Sequence, residues 1–116
     1  MKHHTRRSVA YIVGRAISGK TSSSLYDYST SKYYPFSGSV DNHSVSIYDY
    51  TQKCFVSGSI SSVYHYGNSK HVSLKVSGDT FSGYDYDEGK NFSGTVNGGS
   101  ISFYDYGTSS YFNYSL

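Results

Sequence analysis

Tryptophan is absent from this 116-residue chain, and proline, cysteine and methionine occur once each. A lone cysteine, Cys54, closes no internal disulfide, which excludes a stapled secreted scaffold and makes a reducing, cytoplasmic setting the simpler expectation. With Pro35 the only proline, nearly every backbone amide is free to donate, as paired strands require. Charged residues make up 16% of the chain, low for a disordered segment. No apolar run approaches the roughly twenty residues of a membrane-spanning helix. Val9 to Val13 behind basic residues resembles the start of a secretion signal, but Arg15 interrupts it. Strong helix formers are scarce beyond position 20, so helix is confined to the N-terminus.

What the chain has in excess is tyrosine and glycine, fifteen and twelve residues. Together they point to strands and tight turns in a single domain, 1–116, with no break in composition. Five triplets recur: Tyr26-Asp27-Tyr28, Tyr48-Asp49-Tyr50, Tyr64-His65-Tyr66, Tyr84-Asp85-Tyr86 and Tyr104-Asp105-Tyr106. Before each lies a run that alternates polar and apolar residues, such as Ser44-Val45-Ser46-Ile47. That is the period of a strand with one buried face. Turn-like residues come after each triplet, and then a second alternating run such as His71 to Val76. Each repeat therefore reads as one hairpin, and Asp41-Asn42, Ser77-Gly78-Asp79 and Asn97-Gly98-Gly99 join neighbouring hairpins tightly.

These units predict a mainly β fold over 22–116, an antiparallel meander of about ten strands from five hairpins, curled or barrel-like. A β-solenoid is the alternative, in which the triplets would stack as a column. The uneven spacing of the second and third triplets and the hairpin-type connections favour the meander. Val9, Ile12, Val13, Ala16 and Ile17 form one stripe of an amphipathic helix over 5–19, with Thr5 as its cap and Gly19 as its end. The expectation is that this stripe lies on the apolar face of the sheet while Arg6, Arg7 and Arg15 face water. The apolar face would comprise Leu25, Val45, Ile47, Val63, Phe81, Ile101 and Phe103, with Phe36, Val56, Val72, Leu74, Val76, Phe92, Val96 and Phe112 on the return strands.

By the same alternation, the ten triplet tyrosines line the opposite side of the sheet, joined by Tyr33 and Tyr111. Aromatic pairs across strands stabilise a sheet by about 0.2–1 kcal/mol each, which is reason enough for tyrosine there. A broad tyrosine surface interspersed with serine and asparagine also resembles protein binding surfaces, and suits a polysaccharide or protein partner. The aspartates stand at strand ends, where a carboxylate accepts hydrogen bonds from turn amides. Their repetition argues against catalysis, since a reacting site needs two unlike titratable groups in one place.

Other motifs weigh less. Gly14 to Thr21 matches the phosphate-loop pattern letter for letter, yet Ser22 to Tyr26 behind it read as a strand, where that loop opens a helix. His4, His43 and His71 show no metal-ligand spacing, and no cofactor or metal is expected. Lys2, Arg6, Arg7, Arg15 and Lys20 occur before any acid does, so nucleic-acid binding through a basic N-terminus is a second alternative. Exposed edge strands of an open sheet would permit a homo-oligomer.

Ser100 to Tyr106, with Tyr111-Phe112-Asn113-Tyr114-Ser115 beyond it, resembles the triplet repeats of short bacterial proteins to which no activity is attached. The resemblance spans nearly the whole chain and implies a bacterial, non-secreted origin without carrying over any functional residue. The reading is thus a non-enzymatic structural or interaction module with a tyrosine-rich sheet face, and a carbohydrate-binding module is the first alternative.

Overall fold

Every alternating run in the sequence becomes a strand, because alternation lets one side of the chain bury its apolar residues while the other stays wet. A computed structural model describes residues 1–116. Helix α1 (His3–Ser18) is followed by β1 (Ser24–Asp27), β2 (Lys32–Val40), β3 (Ser44–Asp49), β4 (Cys54–Ser59) and β5 (Ser62–His65). Then come β6 (Lys70–Ser77), β7 (Thr80–Asp85), β8 (Lys90–Asn97), β9 (Ser100–Asp105) and β10 (Ser110–Ser115). Each strand pairs antiparallel with its chain neighbours, and β10 returns to β1 to close a ten-stranded barrel. The solenoid does not form, since consecutive strands are hydrogen-bonded hairpin partners throughout. Closure also removes the free edges on which edge-to-edge pairing of subunits depended.

A barrel of about eight strands can be filled by its own side chains, but a ten-stranded one leaves a wider lumen. Here α1 fills it. Its sixteen residues rise about 24 Å, matching a barrel with extents of 29 × 28 × 26 Å. Thr5 to Gly14 are buried on every side of the helix. The expectation that the basic side faces water is therefore wrong for Arg6 and Arg7, which are enclosed. An amphipathic helix on an open sheet has a wet side, whereas one inside a closed wall has none. Thr5 is not the cap either: the helix starts one turn earlier, after Lys2, and the Thr5 hydroxyl accepts a hydrogen bond from Asn68 Nδ2 at 2.7 Å. Gly19 does end the helix, in left-handed backbone with φ 71°, and its N–H donates to Arg15 O.

The wall contributes the apolar face read from the sequence, with Val76 and Phe112 half-buried and the rest of that set buried. Tyr11 of α1 stacks on Phe36 with ring centroids 4.7 Å apart, and Phe92 on Phe103 at 5.2 Å. Gly83 and Gly94 make this packing possible. Phe92 lies opposite Gly83 and Phe81 opposite Gly94, and any Cβ at either glycine would collide with that phenyl ring and with a backbone carbonyl.

Candidate functional site

The middle residue of each triplet points into the barrel and the two tyrosines point out, so one motif builds two concentric tiers at the hairpin-loop end. The inner tier consists of Asp27, Asp49, His65, Asp85 and Asp105, all buried. One carboxylate oxygen of each aspartate holds the adjoining loop, accepting from the N–H of Ser29 (2.9 Å), Thr51 (3.0 Å), Asp87 (3.0 Å) or Gly107 (2.8 Å). His65 Nδ1 does the same for Asn68 N–H at 3.2 Å. The loop-holding role expected of the aspartates is what the structure shows.

The second oxygens of Asp27 and Asp105 meet cations at the N-terminal end of α1, where the helix dipole is also positive. Asp105 pairs with Arg6 at 3.1 Å and with the Met1 amine at 3.2 Å, and Asp27 pairs with Arg7 at 3.4 Å. Arg6 also donates to Tyr114 Oη at 2.8 Å and lies 3.5 Å over the Phe112 ring, while Arg7 lies 3.9 Å over Tyr34. Asp49 and Asp85 have no such cation, and burial pushes both carboxyls above their ordinary range. Burial, with His4 nearby, lowers His65 to about 4. The inner tier therefore anchors the helix within the wall through guanidinium and carboxylate pairs. Lys2 is also paired, with Asp87 at 3.0 Å, and Arg15 donates to Gly38 O at 2.6 Å.

The phosphate-loop letters fall on the wrong end of a helix. Gly14 to Ser18 are the last turn and a half of α1 and Gly19 ends it, so unpaired carbonyls stand there where a phosphate needs amides. Cys54 is half-buried, and desolvation raises its thiol away from the reactive thiolate.

The outer tier holds all ten triplet tyrosines. Because the sheet closes, they form a girdle around the wall where an open sheet would present one flat face. Within each triplet the two rings meet edge to face, at 4.8 Å for Tyr26 and Tyr28, 5.0 Å for Tyr48 and Tyr50, and 4.8 Å for Tyr64 and Tyr66. Tyr84 and Tyr86 meet at 4.8 Å, and Tyr104 and Tyr106 at 4.7 Å. The first ring is half-buried beneath its neighbours. The second stands free, exposed by 57% at Tyr28, 51% at Tyr50 and 55% at Tyr106. A third aromatic from the return strand completes most clusters: Tyr33, Phe55, His71 and Tyr111. Phe55 is the member that the sequence reading missed; its phase, one residue before buried Val56, was the available signal.

Between the rings and the far rim, the outward wall is mostly serine, with threonine and asparagine. This reverses the apolar outer band of a barrel that faces lipid. No helix is long and apolar enough to cross a membrane. Two grooves flank Tyr106 on the outer wall: one crosses β6, β7 and β8 between Tyr84 and Tyr106, and the other runs beside Tyr104, Tyr106 and Tyr111 over Thr80, Thr95 and Ser102. Comparison with protein-family models, curated proteins and solved structures finds no match to this chain.

Proposed function

We propose that this protein is a non-enzymatic binding module that holds a polysaccharide against the outer tyrosine girdle. The carrying observation is the second ring of each triplet, which keeps about half its surface in water. Rigid phenols with hydroxyl neighbours give contact area at low entropic cost. Sugar rings stack on aromatic faces, and their hydroxyls find partners in Ser37 and Ser93, which already sit within 3.0 Å of Tyr50 Oη and 3.5 Å of Tyr106 Oη. Repetition around the wall suits a repeating polymer, because several weak contacts on one chain raise avidity without a deep pocket. Burial of Arg6 and Arg7 in ion pairs weighs against the nucleic-acid alternative.

The test is co-sedimentation with insoluble polysaccharides and affinity electrophoresis in soluble ones, neutral and acidic. Binding is expected to weaken at least several-fold in the double variant Tyr86→Ala with Tyr106→Ala, whose melting temperature stays near that of the parent. Retention of full affinity by that variant, or no binding to any polymer, would overturn the proposal.

A further inference from the structure

On their outer side the five hairpins carry different residues opposite the first tyrosine of the triplet. Tyr33 stands opposite Tyr26, Phe55 opposite Tyr48, His71 opposite Tyr64 and Tyr111 opposite Tyr104. In the fourth hairpin Asn91 stands opposite Tyr84, so this cluster lacks its third ring. On the side of the missing ring, the groove across β6, β7 and β8 encloses about 530 Å³, within the range of small-molecule sites, and the groove beside Tyr104, Tyr106 and Tyr111 encloses about 890 Å³. Tyr84, Tyr106, Asn91, Lys75, Ser73 and Ser93 are among the residues that line the groove across β6, β7 and β8.

Lys75 is a second exception on this face. Carrying the strand register around the barrel, from Ser24 and Tyr26 on β1 to Ser115 on β10, assigns every outward wall position. Lys75 is the only formally charged residue among them. It is exposed and joins none of the ion pairs of the fold.

We propose that this groove is the principal saccharide site and that it selects a sugar unit bearing a carboxylate, of the uronic acid class. The inference rests on the polysaccharide reading of the girdle. The pyranose ring stacks against Tyr84, where no third ring competes for that space. The Asn91 amide supplies both a donor and an acceptor for adjacent hydroxyls, and the Lys75 ammonium meets the carboxylate. A solvent-exposed ion pair contributes modestly and is screened by salt, so the preference for the acid is about three- to fivefold at low ionic strength.

The experiment compares polygalacturonate with its methyl-esterified form, which keeps the backbone and removes the charge, using affinity electrophoresis of the full chain. The acid form is expected to bind more tightly at low salt, with the advantage lost in Lys75→Gln and in high salt. Asn91→Tyr, which restores the ring that the other clusters carry, is expected to weaken binding of both polymers at least tenfold. Tyr84→Ala is expected to cost more affinity than Tyr50→Ala, with melting temperatures confirming that each variant is folded. Equal affinity for acid and ester, or a preference that survives in Lys75→Gln, overturns the selectivity and leaves the girdle reading standing. Undiminished binding by Asn91→Tyr overturns the groove as principal site in the same way. Failure of the parent protein to bind any polymer overturns both.

Discussion

Ser31, Lys53, Ser69 and Ser109 hold left-handed backbone, with φ between 54° and 56°, at the last loop position before each return strand. The fourth hairpin has Gly89 there, at φ 69°. A Cβ in this region costs about 1–2 kcal/mol, partly offset by the greater freedom glycine has when unfolded. Replacing Ser31, Ser69 or Ser109 by glycine is expected to raise stability by about 0.5–1 kcal/mol each in urea unfolding, and Gly89→Ser to lower it comparably. His65 sets a pH dependence of its own. Its imidazole titrates at about 4 in the fold, chiefly because burial disfavours the charge, against 6.5 in the unfolded chain. As pH drops through that interval the unfolded chain binds the proton first, so the stability that neutral His65 contributes falls from about pH 6.5 to 4 and is fully lost below. The loss reaches about 3 kcal/mol. His65→Asn keeps an acceptor for Asn68 N–H and does not ionise, so its urea midpoints at pH 7, 5.5 and 4 should be flatter than those of the parent.

The strands were legible because each run states its own answer: Val45 and Ile47 in, Ser46 and Tyr48 out, with no distant information required. The helix was legible only by half. Its stripe of Val9, Ile12 and Val13 marks one buried side, but Ser8, Ala10 and Tyr11 on the remaining sides are buried too, and nothing local to α1 signals that. The partners that make enclosed arginines tolerable lie far along the chain, Asp105 being 99 residues from Arg6 and Asp27 twenty from Arg7. A local reading therefore assigns those side chains to water, where an unpaired guanidinium belongs. The tyrosine side was legible for the same reason as the strands, whereas its girdle shape comes from closure, which depends on strand tilt and stagger. Enclosure makes a test of size. Ala10 is fully buried in the lumen, so Ala10→Leu is expected to overpack it and cost about 1–3 kcal/mol in urea unfolding. On a helix with a wet side the same change would be close to neutral.

Considered whole, the barrel is not equally strong around its circumference. β7 and β8 face each other over six residue pairs, while β1 and β10 close the seam with two, Tyr26 with Ser115 and Asp27 with Tyr114. Local opening favours the least-paired boundary. The Tyr28 amide, which donates to Asn113 O across the seam at 3.2 Å, is expected to exchange with deuterium faster than the strand amides of Ser82 and Tyr84. Equal or slower exchange at Tyr28 would show that the side chains lock the seam more firmly than its backbone pairing does.

Because α1 precedes every strand that encloses it, its placement imposes an order on assembly. A finished wall offers no route by which a helix carrying Arg6 and Arg7 could thread inward, so the strands must wrap around a helix already present. During synthesis at roughly 5–20 residues per second, the stretch from Ser18 to β10 takes on the order of ten seconds to emerge. Throughout that interval Val9, Ile12 and Val13 await a complete housing. The element that precedes all ten strands is thus the last to be fully sheltered, once β10 meets β1.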